Sequence, residues 1–466
     1  MINLRSKKVK VVLLLLAVTL AGCQVHYFTP PAQTSPTETK LQPTNTPPAE
    51  ATVTATPVGT LPAANLNGLV IRVAYAWIDE QALAFEALAD TFSLTNPWGF
   101  EVQPVRYPSC TEMAEAYREL GVSEDAALCW TADLEGLSSS GAWVNLALFM
   151  TDTALGVSGL YSAESLVNPL SQAGPSWTLP LAINPGLLYY NQTWARELGF
   201  ENAPATPEEL QEQLSAALQA LLADENLNNN GTGGLWLSKT PLSALSWYSA
   251  FGGKPKAEDG LPVFQPEALD AAFQYLKTSY ETDASWVGAL NTPYAYFADR
   301  FALAYEGDLS DLRLQEAYSS QSPYADQWVT IPYPNPSGSG SLAFETLSAA
   351  IRAGSYSQQL ASWLFSRWLL SPEAQDVFVR AHWLWPAGGP PQASAPAYAS
   401  EHAAWASAYA GRHDINFAPE QANWAVSRLL LQDAFQRVYG LEAQYFPQIL
   451  EMLDQMLEEM RPTDGR

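Results

Sequence analysis

Aromatic and acidic side chains follow several predicted strands in the first part of this sequence. Trp77 and Asp79 come after the first predicted strand, Tyr107 follows the second, and Trp130 ends the third. Open α/β sheets hold their ligands at the carboxyl ends of strands. Indole and phenol rings suit the apolar C–H faces of a sugar ring or an ammonium group, and carboxylates suit a rim of hydroxyls. The pattern therefore favours noncovalent binding of a small molecule.

Local catalytic motifs are missing from the sequence. There is no Gly-x-Ser-x-Gly elbow, His-Glu-x-x-His pair or phosphate-cradling glycine loop, and no Cys/His cluster has metal-site spacing. The Asp/Asn-rich stretch at 224–231 resembles a calcium loop, but its sixth and twelfth positions are Asn229 and Leu235 instead of Gly and Glu. We predict a turn at this stretch, and no catalytic residue, metal or cofactor.

The elements that position these residues alternate between strand and helix patterns. Strands are predicted at 69–75, 100–105 and 126–130, with helices between them; the first helix should bury Leu83, Phe85, Leu88, Ala89 and Phe92. Such alternation predicts a parallel sheet with right-handed crossovers. Further strands are predicted at 187–190, 235–237, 301–305 and 329–331, and further helices at 206–222, 357–370, 373–381, 420–439 and 441–460. About 400 residues follow position 66, enough for two α/β domains.

The N-terminus has the pattern of an export signal over residues 1–22. Basic residues at 5, 7, 8 and 10 precede the apolar run 11–17 and the small residues before Cys23. The end, Leu-Ala-Gly-Cys, resembles a bacterial lipobox, which implies cleavage before Cys23 and lipidation of its sulfur. An ordinary signal peptide or a buried apolar helix is the alternative. Residues 23–65 are rich in Thr-Pro pairs and predict a disordered, polyproline-like linker.

Charge and cysteine usage fit an exported protein. Loss of the four basic residues of the signal leaves 19 Lys and Arg against 48 Asp and Glu, a net charge of about −29. This charge argues against nucleic acid as a partner. Cys110 and Cys129 form an even pair in an oxidising compartment, which favours a disulfide over two free thiols.

Several ordered motifs resemble the extracellular solute-binding proteins of ABC importers, the group that includes maltose-binding and other sugar-binding lipoproteins. They are Trp-Thr-Leu-Pro-Leu at 177–181, Leu-Tyr-Tyr-Asn at 188–191, Leu-Gly-Phe at 198–200, Phe-Gly-Gly at 251–253, Pro-Glu-Ala at 266–268, the strand and glycine at 297–307, Ser-Pro-Glu-Ala-Gln at 371–375 and Trp-Pro-Ala at 385–387. The resemblance runs along nearly the whole exported chain.

This resemblance implies a two-lobed periplasmic-binding-protein-like fold of type II, with a mainly parallel sheet flanked by helices in each lobe. One lobe would comprise 66–181 plus 335–370 and the other 182–334 plus 371–460, followed by a tail at 461–466. The solute would lie in the interlobe cleft of a lipid-anchored monomer that serves ABC permease subunits. Leu309 and Leu312 follow Gly307 where maltose-binding relatives often carry a tryptophan, which weakens a specific malto-oligosaccharide assignment.

Further candidate ligand contacts lie near the motifs that carry this resemblance. These are Asn184 at the first crossing, Trp247 and Tyr248 before the Gly-Gly turn, Glu306 and Asp308 around the glycine, and Trp383 and Trp385 beside the late proline. For each aromatic, burial in the core is the alternative. Glu306 and Asp308 could instead belong to a solvated turn.

The expected function is capture of a solute, with a carbohydrate favoured and a polyamine compatible with the acidic and aromatic residues. Two other functions stay open at this point. A surface glycoside hydrolase would also be rich in Trp and carboxylates, but it requires an acid/base pair at a defined separation. A receptor that presents its ligand to a membrane sensor would bind in the same way as a transport protein.

Overall fold

A computed structural model describes residues 60–138, 141–161, 167, 169–171, 176–254, 256–258, 261–288, 292–388, 395–410 and 424–460. The predicted signal peptide 1–22, Cys23, residues 24–59 of the linker and the 461–466 tail lie outside these ranges. No helix within them is long and apolar enough to span a bilayer.

The first strands and helices follow the predicted alternation closely. They are β1 Val70–Tyr75, α1 Asp79–Thr95, β2 Glu101–Arg106, α2 Cys110–Leu120, β3 Ala126–Trp130, α3 Thr131–Glu135 and α4 Ala147–Met150. In α1, Phe85, Leu88, Ala89 and Phe92 are buried as predicted. The prediction for Leu83 is wrong, since its side chain is 66% exposed. Ala82 instead completes the buried face, which recurs every three to four residues.

The middle of the chain begins with a long strand, and three later strands of this part pair with it. Its elements are β4 Thr178–Asn191, α5 Gln192–Glu197, α6 Pro207–Ala223, β5 Gly233–Leu237, α7 Pro241–Ala250, β6 Lys256–Glu258, β7 Leu261–Val263, α8 Pro266–Glu281, β8 Ser285–Val287, α9 Tyr294–Ala298, β9 Ala302–Asp308, α10 Leu312–Ser319, β10 Trp328–Ile331 and β11 Phe344–Ile351. Helix α6 starts as its sequence predicts: the Thr206 side chain accepts from Glu209 N, and proline occupies the first turn.

The last part of the chain is mostly helical, as predicted. It contains α11 Tyr356–Trp368, α12 Pro372–His382, β12 Trp385–Pro386, α13 Ala395–Glu401, α14 Ala403–Ala410, α15 Trp424–Gly440 and α16 Phe446–Glu459. Ser371 caps α12 by accepting from Ala374 N. Helix α12 packs against α1, and α15 packs against α7, α8 and α3. These late helices therefore contact elements from both the first part and the middle of the chain.

The sheet runs in the order β2-β1-β3-β11-β4-β9-β5-β8, with β10 and β12 also paired to β4. The pairs β1–β2, β1–β3, β5–β8 and β5–β9 are parallel, whereas β11–β3, β11–β4 and β4–β9 are antiparallel. The predicted parallel crossovers are thus confirmed on both sides, and antiparallel strands join them in the middle.

Strand β4 connects the two sides of the sheet. Its first part, to Pro185, pairs with β11, and from Gly186 to Tyr190 it pairs with β9. We call residues 184–186 the crossing. A Cβ atom on Gly186 would lie 2.4 Å from Ser246 Oγ, so α7 rests directly on the strand here. Glycine occupies position 186 because the helix and the strand approach too closely to leave room for a side chain.

A disulfide joins Cys110, the first residue of α2, to Cys129 in β3, with their Cα atoms 5.6 Å apart. It links the turn after β2 to the end of β3. Both segments reach the carboxyl edge of the parallel strands, where the sequence predicts the ligand to lie.

Candidate ligand-binding site

A cavity of about 360 Å³, open to solvent, lies at the carboxyl ends of β1, β2 and β3. We call it the aromatic cavity. Its first wall comes from the segments after these strands, and its opposite wall comes from the turn after β9 and the end of α12. The lining residues are Ala76, Trp77, Ile78, Gln81, Pro108, Ser109, Cys110, Trp130, Ser310, Asp311, Arg313, Leu314, Leu347, His382 and Leu384.

Trp77 and Trp130 supply the large ring surfaces of this cavity. Both side chains are half-buried. The Trp77 ring contacts Phe85 edge-on, with ring centroids 5.1 Å apart, and Phe378 at 5.9 Å. Trp130 is the last residue of β3, one residue from the disulfide. Neighbouring packing thus fixes the orientation of the Trp77 indole, as a stacking platform requires.

A second, much smaller cavity of about 30 Å³ lies next to the first along β11. We call it the arginine cavity. Thr131 and Thr346 line this cavity, and their neighbours in the chain, Trp130 and Leu347, line the aromatic cavity. The two cavities are therefore adjacent. Its lining residues are Thr131, Ala132, Pro241, Leu242, Leu245, Phe344, Glu345, Thr346, Trp424 and Arg428.

The arginine cavity contains an ion-pair network. Arg428 Nη2 donates to Asp133 Oδ1 at 2.6 Å, and Arg428 Nη1 lies 3.6 Å from Glu345 Oε2. Burial raises the pKa of Glu345 to about 7; Arg428 opposes that rise, while Asp308 and Asp133 add to it. The Glu345 side chain is still 25% exposed, so a ligand in the cavity can reach its oxygens.

Polar groups at the crossing connect the two cavities. Asn184 is opposite Glu345 in the β4–β11 register, and its Oδ1 accepts from Ser310 N at 3.2 Å. Asp308 Oδ1 accepts from the same Ser310 N–H at 2.9 Å. The Asn184 side chain also lies within hydrogen-bonding reach of the Asp308 and Glu345 carboxyls and opposes the rise in the pKa of each. The crossing therefore forms a polar floor between the two cavities.

Asp311 extends this floor into the aromatic cavity. Its Oδ1 accepts from the Tyr294 hydroxyl at 2.6 Å, and its Oδ2 accepts from Asp308 N at 3.0 Å. Burial, with the nearby Asp308 charge, raises the pKa of Asp311 to about 7. Burial likewise raises the pKa of Asp308. The site thus combines indole walls with a row of carboxyl groups and two arginines, Arg313 and Arg428.

The sequence profile of the bacterial extracellular solute-binding proteins matches residues 87–409 of the chain. The protein belongs to that family. Among curated protein sequences, none matches the chain.

Solved structures of two-lobed binding proteins share the fold of this solute-binding protein. The cyclic alpha-maltosyl-1,6-maltose binding protein from Arthrobacter globiformis superposes with a TM-score of 0.67 at 16% identity, covering 84% of this chain and 99% of that one. The sugar-binding protein MalE from Xanthomonas citri gives 0.67 at 16%, covering 84% and 98%. The GacH receptor of Streptomyces glaucescens, solved with and without acarbose, gives 0.66 at 15%, covering 84% and 99%.

Of the residues that the sequence predicts as ligand contacts, several lie at or beside the two cavities of the solute-binding protein. Trp77 and Trp130 line the aromatic cavity. Asp79 begins α1 directly after Ile78, which lines it, and Tyr107 directly precedes Pro108, which also does. Asn184 and Asp308 lie in the polar floor.

Glu306 and Trp247 are bonded to each other inside the protein and line neither cavity. Trp247 Nε1 donates to Glu306 Oε1 at 2.6 Å, Ser238 N donates to Oε2 at 2.8 Å, and the Ser243 hydroxyl donates to the same oxygen. Burial raises the pKa of Glu306 to about 7, although all three hydrogen bonds lower it. Glu306 therefore ties β9 to the start of α7, whose Pro241 and Leu242 line the arginine cavity.

The remaining predicted contacts also lie in the interior. The Tyr248 hydroxyl donates to Gln265 Oε1 at 2.9 Å, away from both cavities. Trp385 is fully buried in β12, which pairs with β4. Trp383 directly follows the last residue of α12 and packs edge-on against Tyr398. These placements agree with the packing alternative for the three aromatics.

The sequence analysis did not single out the residues of the arginine cavity. No binding role was predicted for Trp424, Arg428 or Glu345. Trp424 and Arg428 are four residues apart and so share one face of the predicted helix 420–439. That spacing was a usable signal for an aromatic and a cation directed to the same place.

Proposed function

We propose that this solute-binding protein captures a carbohydrate between its lobes and delivers it to an ABC permease. The observation that carries the proposal is the pair of adjoining cavities, with indole walls and a floor of carboxyl and amide groups. Structures with the same fold include sugar-binding proteins with maltose, maltotriose, mannobiose or cycloalternan bound. These bound sugars support a carbohydrate for this chain too.

The chemistry of the two cavities matches a short oligosaccharide. Trp77 and Trp130 would stack on the C–H faces of the sugar rings, as apolar platforms do. Glu345 and Asp311 would accept hydrogen bonds from hydroxyls, and Arg428 would donate to ring or hydroxyl oxygens. The aromatic cavity alone has the volume of a typical small-molecule pocket. The adjoining arginine cavity is too small for a sugar unit in this structure, so lobe movement would have to widen it before Glu345 and Arg428 contact a second ring.

We further propose that the lobes are 66–181 plus 335–370 and 182–334 plus 371–460, and that they close on the solute. Residues of both lobes line each cavity, so the solute favours the hinge state that brings them together. A lipid on Cys23 and the 23–65 linker would hold this monomer near the permease. A presentation role toward a sensor would use the same cleft.

The test is a binding screen on the full-length protein in mild detergent. Maltose, maltotriose, mannobiose, mannotriose, acarbose and spermidine are added singly, and thermal unfolding and calorimetry detect binding, because a ligand of the native state raises the unfolding temperature. Trp77→Ala and Trp130→Ala should each weaken sugar binding by about 5- to 150-fold, the usual loss for a truncated aromatic anchor. Trp98→Ala is the matched control, since this half-buried tryptophan lines neither cavity.

The outcomes separate the competing functions. Saturable sugar binding without products supports the proposal. Chromatography that detects sugar cleavage would favour a hydrolase, and binding of spermidine alone would favour a polyamine receptor. If no sugar binds, or if both cavity variants bind as tightly as Trp98→Ala, the proposal is wrong.

A further inference from the structure

His382 is the last residue of α12 and lines the aromatic cavity together with Trp77 and Asp311. Its side chain is 1% exposed. The imidazole meets the Trp77 ring edge-on with the centroids 4.5 Å apart, and it contacts Phe378 at 5.1 Å. The ring is therefore held in one place on the wall opposite the ends of β2 and β3.

Neither ring nitrogen of His382 has a hydrogen-bond partner among the described residues. Burial lowers the pKa of His382 to about 3, so the imidazole is neutral and offers one N–H donor and one acceptor. Buried polar side chains in native proteins are nearly always paired, so an unpaired one in a cavity wall calls for a partner from outside the chain.

An apolar residue would serve the packing role of His382 better than an imidazole does. The neighbours that hold the ring, Trp77 and Phe378, are aromatic and make no hydrogen bond to it. A phenylalanine ring could keep both contacts without burying two unpaired nitrogens. The choice of histidine at this position is thus unexplained by packing and explained by a polar ligand.

We infer that His382 is a direct ligand contact that hydrogen-bonds a hydroxyl of the bound carbohydrate next to Trp77. This inference rests on the proposed function. A sugar hydroxyl can both donate and accept, so it can pair with either tautomer of the neutral ring. Stacking on Trp77 tolerates many sugars, whereas a hydrogen bond at His382 requires a hydroxyl at one position. His382 would therefore distinguish sugars by where that hydroxyl is.

The test compares His382→Phe with the wild-type full-length protein in mild detergent. Maltotriose and mannotriose are the probes for calorimetry, and thermal unfolding is followed without sugar. The variant should unfold at the same temperature as wild type or higher, since two unpaired nitrogens are removed, yet bind at least about tenfold more weakly. A purely structural role predicts unchanged sugar affinity, because phenylalanine keeps the two ring contacts.

Two further variants sharpen the result. His402→Phe is the matched control, because this histidine lies outside both cavities and its Nδ1 is 3.2 Å from Glu316 Oε1; its affinity should stay within about twofold of wild type. His382→Gln retains a donor and an acceptor and should recover part of the affinity lost in His382→Phe.

Each outcome decides the inference. If wild type binds one of the two sugars and His382→Phe binds it equally well, the inference is wrong and the proposed function stands. If wild type binds neither sugar, both the inference and the proposed function fail for these probes. If His382→Phe does not fold, the imidazole ¹⁵N resonances of wild-type His382 decide: a shift on adding the bound sugar supports the contact, and no shift overturns it.

Discussion

The close approach of α7 to the crossing gives a sharp prediction for Gly186→Ala. The added methyl group would lie 2.4 Å from Ser246 Oγ and 3.2 Å from Leu242 Cγ, whereas ordinary contacts of a Cβ lie at 3.4–4 Å. Gly186 does not require a left-handed backbone, because no positive φ is found there. The effect of the substitution is therefore purely a matter of space.

Hydrogen bonds keep both partners from moving apart. Gly186 N donates to Ala343 O at 2.9 Å, and Ser246 Oγ donates to Leu242 O at 2.8 Å. Relief of an overlap of about 1 Å must therefore rotate Ser246 away from its hydrogen bond with Leu242 O, displace the helix or bend the strand. Overpacking of this kind costs about 1–3 kcal/mol. We expect Gly186→Ala to lower the free energy of unfolding by about 2 kcal/mol.

Urea unfolding measures this change as a lower midpoint with an unchanged slope. Gly231→Ala is the control, because a Cβ atom there would meet nothing within 4 Å and the residue has no positive φ. Such a substitution should leave stability unchanged or raise it by about 0.4–1 kcal/mol through the unfolded chain. The difference in the free energy of unfolding between the two Gly→Ala variants then gives the cost of the steric overlap at the crossing.

A second substitution tests the proposed cause. Ser246→Ala removes the nearest obstructing atom, so the double variant Gly186→Ala/Ser246→Ala should recover more than half of the stability lost by Gly186→Ala. Neighbouring residues that share a clash show such non-additivity in a double-mutant cycle. If the two changes are additive, or if Gly186→Ala behaves like Gly231→Ala, the contact between α7 and β4 is not as tight as described.

Three further predictions concern the disulfide, a buried carboxyl and an exposed ion pair. Reduction of Cys110–Cys129, which closes a loop with a separation of 19 residues, should lower stability by about 3 kcal/mol in urea unfolding; equal midpoints before and after reduction would contradict this. Burial raises the pKa of Glu306 from 4.5 to about 7, so between these pH values the folded state holds a proton that the unfolded state has lost. The free energy of unfolding should therefore fall as the pH rises through this range. Glu306→Gln should flatten that slope, and an unchanged slope would refute the assignment. Arg313→Ala removes a 3.8 Å pair to Glu80 across the aromatic cavity and should change sugar affinity less than about fivefold, since exposed pairs contribute under about 1 kcal/mol; a larger loss by calorimetry would mean direct contact.

Local sequence patterns predicted the outer strands well but not the middle of the sheet. The 126–130 strand matches β3, because its run of small and apolar residues is buried on both faces. Strand β11 was missed: Glu345, Thr346 and Ser348 interrupt its apolar pattern, and its partners lie more than 150 residues earlier in the chain. Only 187–190 of β4 was predicted, since Pro180 and Pro185 usually mark a turn.

The same distinction between local and long-range signals applies to the site. Trp77 and Trp130 could be predicted as cavity residues because Trp77 comes shortly after β1 and Trp130 is the last residue of β3. The carboxyl ends of such parallel strands meet at one edge of the sheet. Trp247 and Glu306 were both selected, and they do meet, but they bond to each other instead of facing a cavity. No local pattern gives the partner of a buried carboxylate when that partner is 59 residues away.

Stability and binding are coupled at the crossing and separable at the cavity walls. Gly186 supports α7, and α7 begins with Pro241 and Leu242 in the arginine cavity, so a change at Gly186 should alter both stability and sugar affinity. Trp130 and His382 contact the cavity without supporting the strand that joins the two sides of the sheet. Substitutions there should change affinity with little loss of stability. A variant set that reversed this order would mean that the solute binds at the crossing itself.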